Sequence, residues 1–292
     1  ARIHVNGKSA KSTLFSVSDC QSIVKKAIVE NLKAAYRTDT LPETGPEVIV
    51  EVGLLRDMAT LALDCCGAGL SRRGYRTYNV AAPLSETLGA AVVTLARYRA
   101  ELPLIDPMCG SGTMPIEAAM IAQNRAPGLG RAFAAEAWPF VEPSVWRLAR
   151  EEAHDSIRPV KLSILGSDAD PRCIELCKRH ARKAGVTVDW AVRPVETLAD
   201  ARTGGVLVCN PPYGERMLDR QEAERLYRRM RERFDLLNGW SVNIITAFQD
   251  FERVYGKRAV QRRKLSNGGM TCCLYRYAER TNECSGKEPQ KE

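Results

Sequence analysis

Hydrophobic and polar positions change rhythm twice along this 292-residue chain. Near the start, Ile3-His4-Val5 alternates like a short strand. Ser18-Asp19 then precede Ile23, Val24, Ala27, Ile28 and Leu32, a spacing that predicts an N-capped amphipathic helix. Pro42, Gly45 and Pro46 break it, and Glu47–Leu54 and Met58–Asp64 read as two strands around a turn at Arg56-Asp57. Residues 1–70 therefore form a small α+β module. A glycine- and arginine-rich connection spans 71–85, and a helix follows from near Ser85 with Leu88, Ala91, Val92, Leu95 and Ala96 on one face.

From Leu102 the rhythm becomes strand, glycine turn, helix, strand, helix. Leu104-Ile105 leads into Asp106-Pro107-Met108-Cys109-Gly110-Ser111-Gly112-Thr113 and a helix carrying Ile116, Ala119, Met120 and Ile121. Leu162–Gly166 is the next strand, ending at Ser167-Asp168, with a helix over 172–184 closed by Gly185. Val186–Val192, Gly205–Cys209 and Ser241–Thr246 continue the strands. Arg262–Leu265, the turn Asn267-Gly268-Gly269 and Met270–Tyr277 close as a hairpin. Alternation of this kind makes a doubly wound α/β sheet of seven mostly parallel strands, with its ligand site at their carboxyl ends. The main α/β domain spans 86–280. The polar stretch 281–292 is expected to be a disordered tail.

Composition adds a direction. Lys and Arg number 43 against 35 Asp and Glu, a net charge of +8 that favours polyanionic partners. No run approaches the roughly 20 apolar residues of a membrane span, and Arg2, His4 and Lys8 stand where a signal peptide would be apolar, so a soluble cytoplasmic protein is expected. Cys65-Cys66 and Cys272-Cys273 read as reduced core residues. Without a Cys-x2-Cys pair, and with His4, His154 and His180 far apart, no metal site is expected.

The chemistry concentrates after three strands. Asp106–Gly112 fits neither the dinucleotide fingerprint nor the phosphate loop, because Thr113-Met114 follow the last glycine. A ligand bearing both a carboxylate and an ammonium suits it better, the first meeting helix N–H groups and the second Asp106. S-adenosylmethionine carries both; a tight turn with no ligand is the bland alternative. Asp168 can accept ribose hydroxyls, while Asp170 serves as the helix cap. After the apolar strand ending at Cys209 comes Asn210-Pro211-Pro212-Tyr213-Gly214. Its prolines leave carbonyls that only accept. The Asn210 side-chain oxygen and the Pro211 carbonyl then make two acceptors for a planar NH2 group, with Tyr213 stacking on its heterocycle. Such a grip localises the nitrogen lone pair for in-line attack on a sulfonium methyl.

Together, Asp106–Thr113, Gly166-Ser167-Asp168-Ala169-Asp170-Pro171, Asn210–Gly214, Arg73-Gly74-Tyr75-Arg76 and Ala82-Pro83-Leu84 resemble the THUMP-containing RNA N2-guanine methyltransferases over about residues 1–280. The resemblance implies a Rossmann-like class I methyltransferase domain behind a partial THUMP-like RNA-binding module, beginning without the ferredoxin-like segment usual in the family. It implies S-adenosyl-L-methionine contacts from Pro83, Leu84, Asp106, Met108, Cys109, Gly110, Ser111, Gly112, Thr113, Asp168, Ala169 and Asn210. Asn210, Pro211, Pro212 and Tyr213 become the amine-holding catalytic set. Where the family often has an acid reading the cofactor adenine, this chain has Arg193-Pro194-Val195-Glu196, leaving Glu196 or a backbone carbonyl for that task.

RNA contacts are expected from Arg72, Arg73, Arg76, Arg216, Arg262, Arg263 and Lys264, whereas Arg225–Arg233 interleaves with glutamates as a solvated helix face. The inserted residues 123–157, with Trp138, Phe140 and Trp146, either shape the target pocket or pack onto the sheet. The expected activity is methyl transfer to the exocyclic N2 of a guanine, in ribosomal or else transfer RNA. Adenine N6, a protein glutamine amide and a non-catalytic RNA-binding assembly role are the alternatives.

Overall fold

The computed structural model describes residues 1–76, 84–200, 202–213 and 219–278, divided into two compact units. In the first, β1 (Arg2–Ala10) and β2 (Glu47–Leu55) run parallel, joined by α1 (Val17–Tyr36), and β3 (Met58–Asp64) returns antiparallel on β2. Pairing with β2 extends β1 well past Val5 into Asn6-Gly7-Lys8-Ser9, whose polar character hides a strand that ladder hydrogen bonds stabilise. The helix starts at the Ser16 cap, before the expected Ser18-Asp19, with the Ser16 hydroxyl accepting the Asp19 N–H. Val24 and Ile28 pack on Val5, Val50 and Val52. Ile23 and Ala27 point outward, because 100° per residue turns them off that stripe. The Arg56-Asp57 turn takes φ of 51° and 62°, the left-handed pair that a two-residue hairpin requires. Cys65 beyond it is exposed and Cys66 half-buried, so of the two cysteine pairs expected in a core only Cys272 is fully inside one.

The second unit opens with α2 (Glu86–Leu95), β4 (Leu104–Asp106) and α3 (Thr113–Ala122). Residues 131–152, which carry most of α4 (Pro143–Asp155), cluster with the first unit instead. There the Trp138 indole N–H donates to the Glu47 carbonyl at 3.0 Å and the Arg131 guanidinium to those of Cys66 and Gly69. Trp138 of the insertion thus packs within the small unit, where neither the target-pocket nor the large-sheet expectation put it.

The second unit continues with β5 (Ile164–Asp168), α5 (Pro171–Ala184), β6 (Asp189–Val192), β7 (Gly205–Cys209), α6 (Arg220–Phe234), β8 (Trp240–Thr246), α7 (Phe251–Tyr255), β9 (Gln261–Asn267) and β10 (Met270–Tyr277). Seven strands lie in the order β6-β5-β4-β7-β8-β10-β9, all parallel but β10, which runs antiparallel between β8 and β9. Because both faces carry helices, the central strands β4, β7 and β8 are buried at every position and the alternation only sorts side chains between two cores. Leu104, Val206 and Val208 join the core under α2 and α3, while Ile105, Leu207 and Cys209 join the one under α6 and α7. The direction of winding reverses between β4 and β7. A crevice therefore opens at their carboxyl ends, where the Asp106 and Asn210 segments emerge side by side.

Candidate active site

Asp106 ends β4 and is 1% exposed. One carboxylate oxygen accepts the Met108 N–H at 3.2 Å, and the other is buried with no partner among the described residues. Burial, helped by Asp168, holds its pKa well above the ordinary carboxylate range. An unsatisfied acid of this kind gains a partner when a cationic group enters the crevice.

The loop beyond it follows from its glycines. Gly110 has φ of 53° and a side chain there would meet no atom within 4 Å, so this residue faces open space. Gly112, at φ 81°, caps α3, and a Cβ there would come within 2.9 Å of the Trp190 ring and 3.0 Å of the Cys177 sulfur. Its smallness serves packing against α5 as much as access to the backbone. Asp168 accepts the Gly110 N–H at 2.9 Å and the Asp170 N–H at 3.0 Å, tying the loops after β4 and β5 together. Asp170 caps α5 as expected, accepting the Arg172 N–H.

Several residues expected to touch a cofactor are turned elsewhere. The Cys109 side chain packs with Ile174 and Cys177, its sulfur 3.8 Å from that of Cys177. Ser111 and Thr113 are buried with their hydroxyls 3.3 Å apart, and the Ser111 carbonyl meets His180 Nδ1 at 3.0 Å. Leu84 lies in the main core, because its apolar side chain is better buried there than left over a crevice. Met108 stays half-buried and Ala169 is exposed at the end of β5. Glu196 pairs with Arg229 at 3.0 Å. Pro83 and Arg216 lie outside the described residues, as does the 281–292 tail.

Arg73 and Arg76, expected to face RNA, are the clearest correction. The Arg76 guanidinium donates to the Leu84 carbonyl at 2.7 Å and to the Thr113 hydroxyl, and lies 3.6 Å from the buried Glu86. Arg73 sits 3.6 Å from Glu117, which also accepts the Tyr75 hydroxyl at 3.0 Å. Both glutamates face inward from helices, and burying a carboxylate costs less with a cation beside it. These arginines are therefore spent on α2 and α3. Of the other expected RNA contacts, Arg72, Arg263 and Lys264 are exposed, and Arg262 is exposed but pairs with Glu252 at 2.7 Å.

Burial pushes the Glu117 carboxyl from 4.5 to about 7, only partly opposed by Arg73 and the Tyr75 hydroxyl. The folded state thus holds this proton more tightly than the unfolded chain. The contribution is fully present below pH 4.5 and is lost as pH rises through about 7. Urea melts at about pH 5 and about pH 8 are expected to cost the wild type on the order of 2–3 kcal/mol more than Glu117→Gln across that interval. Parallel pH dependences in the two proteins would refute the assignment.

The second half of the site follows β7. Pro211 is buried, whereas Asn210, Pro212 and Tyr213 are half-buried. Tyr213 lines a cleft of about 550 Å³ with Phe248, Gln249 and Asp250 from the loop after β8 and Met270 and Thr271 from β10. Arg220 closes one side, its guanidinium 2.8 Å from Asp250 and 5.5 Å from the Phe248 ring centre. None of these residues but Tyr213 is among those expected from the sequence. A site at the carboxyl ends of neighbouring parallel strands was signal enough to include the Phe248-Gln249-Asp250 loop. The arginines of α6 do form the salt-bridged face expected, Arg228 with Glu224 and Arg231 with Asp235.

Among the described residues, no group of His, Cys, Asp and Glu is arranged to hold a metal ion, and no helix is long and apolar enough to cross a membrane.

Known proteins resemble the chain along nearly all of its length. "Putative RNA methyltransferase YpsC" of Bacillus subtilis (strain 168) is 43% identical over 278 residues, which are 94% of this chain and 72% of that protein. A crystal structure from Listeria monocytogenes, described as a predicted N6-adenine-specific DNA methylase, is 44% identical with a TM-score of 0.88, over 96% of this chain and 74% of that one. The structure of SMU.472, "a putative methyltransferase complexed with SAH", is 39% identical with a TM-score of 0.87, over 97% and 76%. A THUMP domain matches residues 1–64, and the RMKL-like methyltransferase domain matches 73–276. The chain is a member of the RMKL-like methyltransferase family, with a THUMP domain ahead of its methyltransferase domain.

Proposed function

We propose that the protein is an S-adenosylmethionine-dependent RNA methyltransferase acting on the exocyclic N2 of a guanine, with ribosomal RNA the favoured substrate. The observation that carries the reading is the adjacency at the β4/β7 switch point. A buried carboxylate with no partner among the described residues lies on one side, and on the other an Asn-Pro-Pro-Tyr segment ends in Tyr213, which lines a cleft large enough for a nucleobase.

Asp106, the open face of Gly110 and the N-terminal N–H groups of α3 would hold the amino-acid end of S-adenosylmethionine, with Asp168 toward its ribose. When bound, that cofactor supplies an electrophilic methyl group on a sulfonium. Asn210 Oδ1 and the Pro211 carbonyl each accept one N–H of the target amine, aiming its lone pair at the methyl. Tyr213 and Phe248 stack on the base. No base is needed before attack, because the nitrogen becomes acidic only once it is alkylated, and its surplus proton is then released to solvent water. Residues 1–70 help hold the RNA, 71–85 connect, and 86–280 carry catalysis. Arg72, Arg262, Arg263 and Lys264 supply phosphate contacts.

Adenine N6 is the second reading, favoured by the description of the Listeria structure and by the same grip on a planar amine. Incubation with isotopically labelled S-adenosylmethionine and total RNA from cells lacking the protein, followed by digestion to nucleosides, is expected to yield labelled N2-methylguanosine. Labelled N6-methyladenosine would transfer the reading to adenine, and an unlabelled RNA pool would overturn it.

A further inference from the structure

The two prolines that shape the Asn210–Tyr213 loop also deprive its centre of backbone donors, because neither Pro211 nor Pro212 has an N–H. One anchor comes from α6. The Tyr227 hydroxyl donates to the Pro212 carbonyl at 3.0 Å, and the Tyr227 side chain is wholly buried. The Thr246 hydroxyl, at the end of β8, lies beside the Tyr227 hydroxyl and accepts the Phe248 N–H at 3.1 Å. The Tyr227 ring stands edge-on to Phe248 and Phe251, with centroids 5.3 and 5.0 Å away. One side chain therefore joins the loop after β7 to the loop after β8, the two walls of the 550 Å³ cleft.

We propose that Tyr227 is a positioning residue for methyl transfer: its hydroxyl fixes the Pro212 peptide and its ring sets Phe248, so that the amine-holding loop and the stacking wall keep one spacing. This rests on the methyltransferase reading above. With the Pro212 carbonyl committed to Tyr227, the Pro211 carbonyl is left as the loop's acceptor for the target amine. Burial pushes the Tyr227 hydroxyl up to about 12, which keeps it a donor across the working pH range.

The sign of such a role is a split between turnover and binding. Tyr227→Phe keeps the ring and its packing and removes only the donor. It is expected to lower kcat by about tenfold to a hundredfold, the scale of an ~1 Å misplacement of reacting groups, with S-adenosylhomocysteine affinity, KM for RNA and the thermal midpoint close to wild type. Hydrogen exchange of the peptide covering 205–213 needs no substrate, and the variant is expected to exchange faster there and nowhere else. A wild type inactive on RNA would sink the substrate reading while leaving this exchange test in force. Unchanged exchange, or unchanged kcat in an active enzyme, would overturn the role of Tyr227. So would a variant whose loss tracks a lowered thermal midpoint, because that is what a purely structural hydroxyl gives.

Discussion

Asn210→Ala is expected to reduce methyl transfer by about 10²–10³-fold, the cost of removing one preorganised polar group from a reacting centre. S-adenosylhomocysteine affinity by calorimetry should stay near the wild-type value. The separation follows from the architecture: the groups suited to the cofactor's charges sit on the loops after β4 and β5, whereas Asn210 follows β7. The alanine variant keeps the two prolines, so the loop's path survives and the loss falls on the amine contact. Near-normal turnover would remove Asn210 from the mechanism. Loss of cofactor affinity in parallel with turnover would reassign it to the cofactor.

The second large effect is expected at Arg76. Arg76→Met leaves Glu86 as an uncompensated buried carboxylate and removes the donor shared by the Leu84 carbonyl and Thr113. Breaking one side of a buried pair costs on the order of 3–5 kcal/mol, readable as a lowered urea midpoint. Weaker S-adenosylhomocysteine binding should accompany it, because Thr113 opens the helix whose N-terminus borders the cofactor loop. Adding Glu86→Leu should recover much of the stability without restoring cofactor affinity. The RNA-contact reading makes the opposite prediction: stability intact, and a salt dependence of RNA binding shallower by about one phosphate. An unchanged salt slope with a destabilised fold is the outcome the buried ion pair requires.

The difference between these two residues shows how far each was legible. Asn210 stands directly after a fully apolar strand and before two prolines, a local pattern whose position in the chain already puts it at a strand's carboxyl end. Arg76 stands in an arginine-rich stretch that reads as a basic surface. Its partners Glu86 and Thr113 are 10 and 37 residues further on, and nothing local says that both face inward. The expected core cysteines fail for a related reason. Cys65-Cys66 follow an apolar strand, but that strand is the edge of a three-stranded sheet and is exposed along almost its whole length.

The sequence by itself determined the succession of strands in the large domain, the helix start near Ser85, the helix caps at Asp170 and Gly185, the C-terminal hairpin and the strand-end placement of Asp106, Asp168 and Asn210. Each depends on hydrophobic period or on the backbone preferences of nearby residues, which are local quantities. Only the tertiary structure decided which side chains of those loops face the crevice, that residues 131–152 join the first unit, that Arg73 and Arg76 turn in on buried glutamates, and that Tyr227 reaches Pro212. These depend on the strand order β6-β5-β4-β7-β8-β10-β9, which makes neighbours of segments about a hundred residues apart. Burial then sets which polar groups must find partners across that distance.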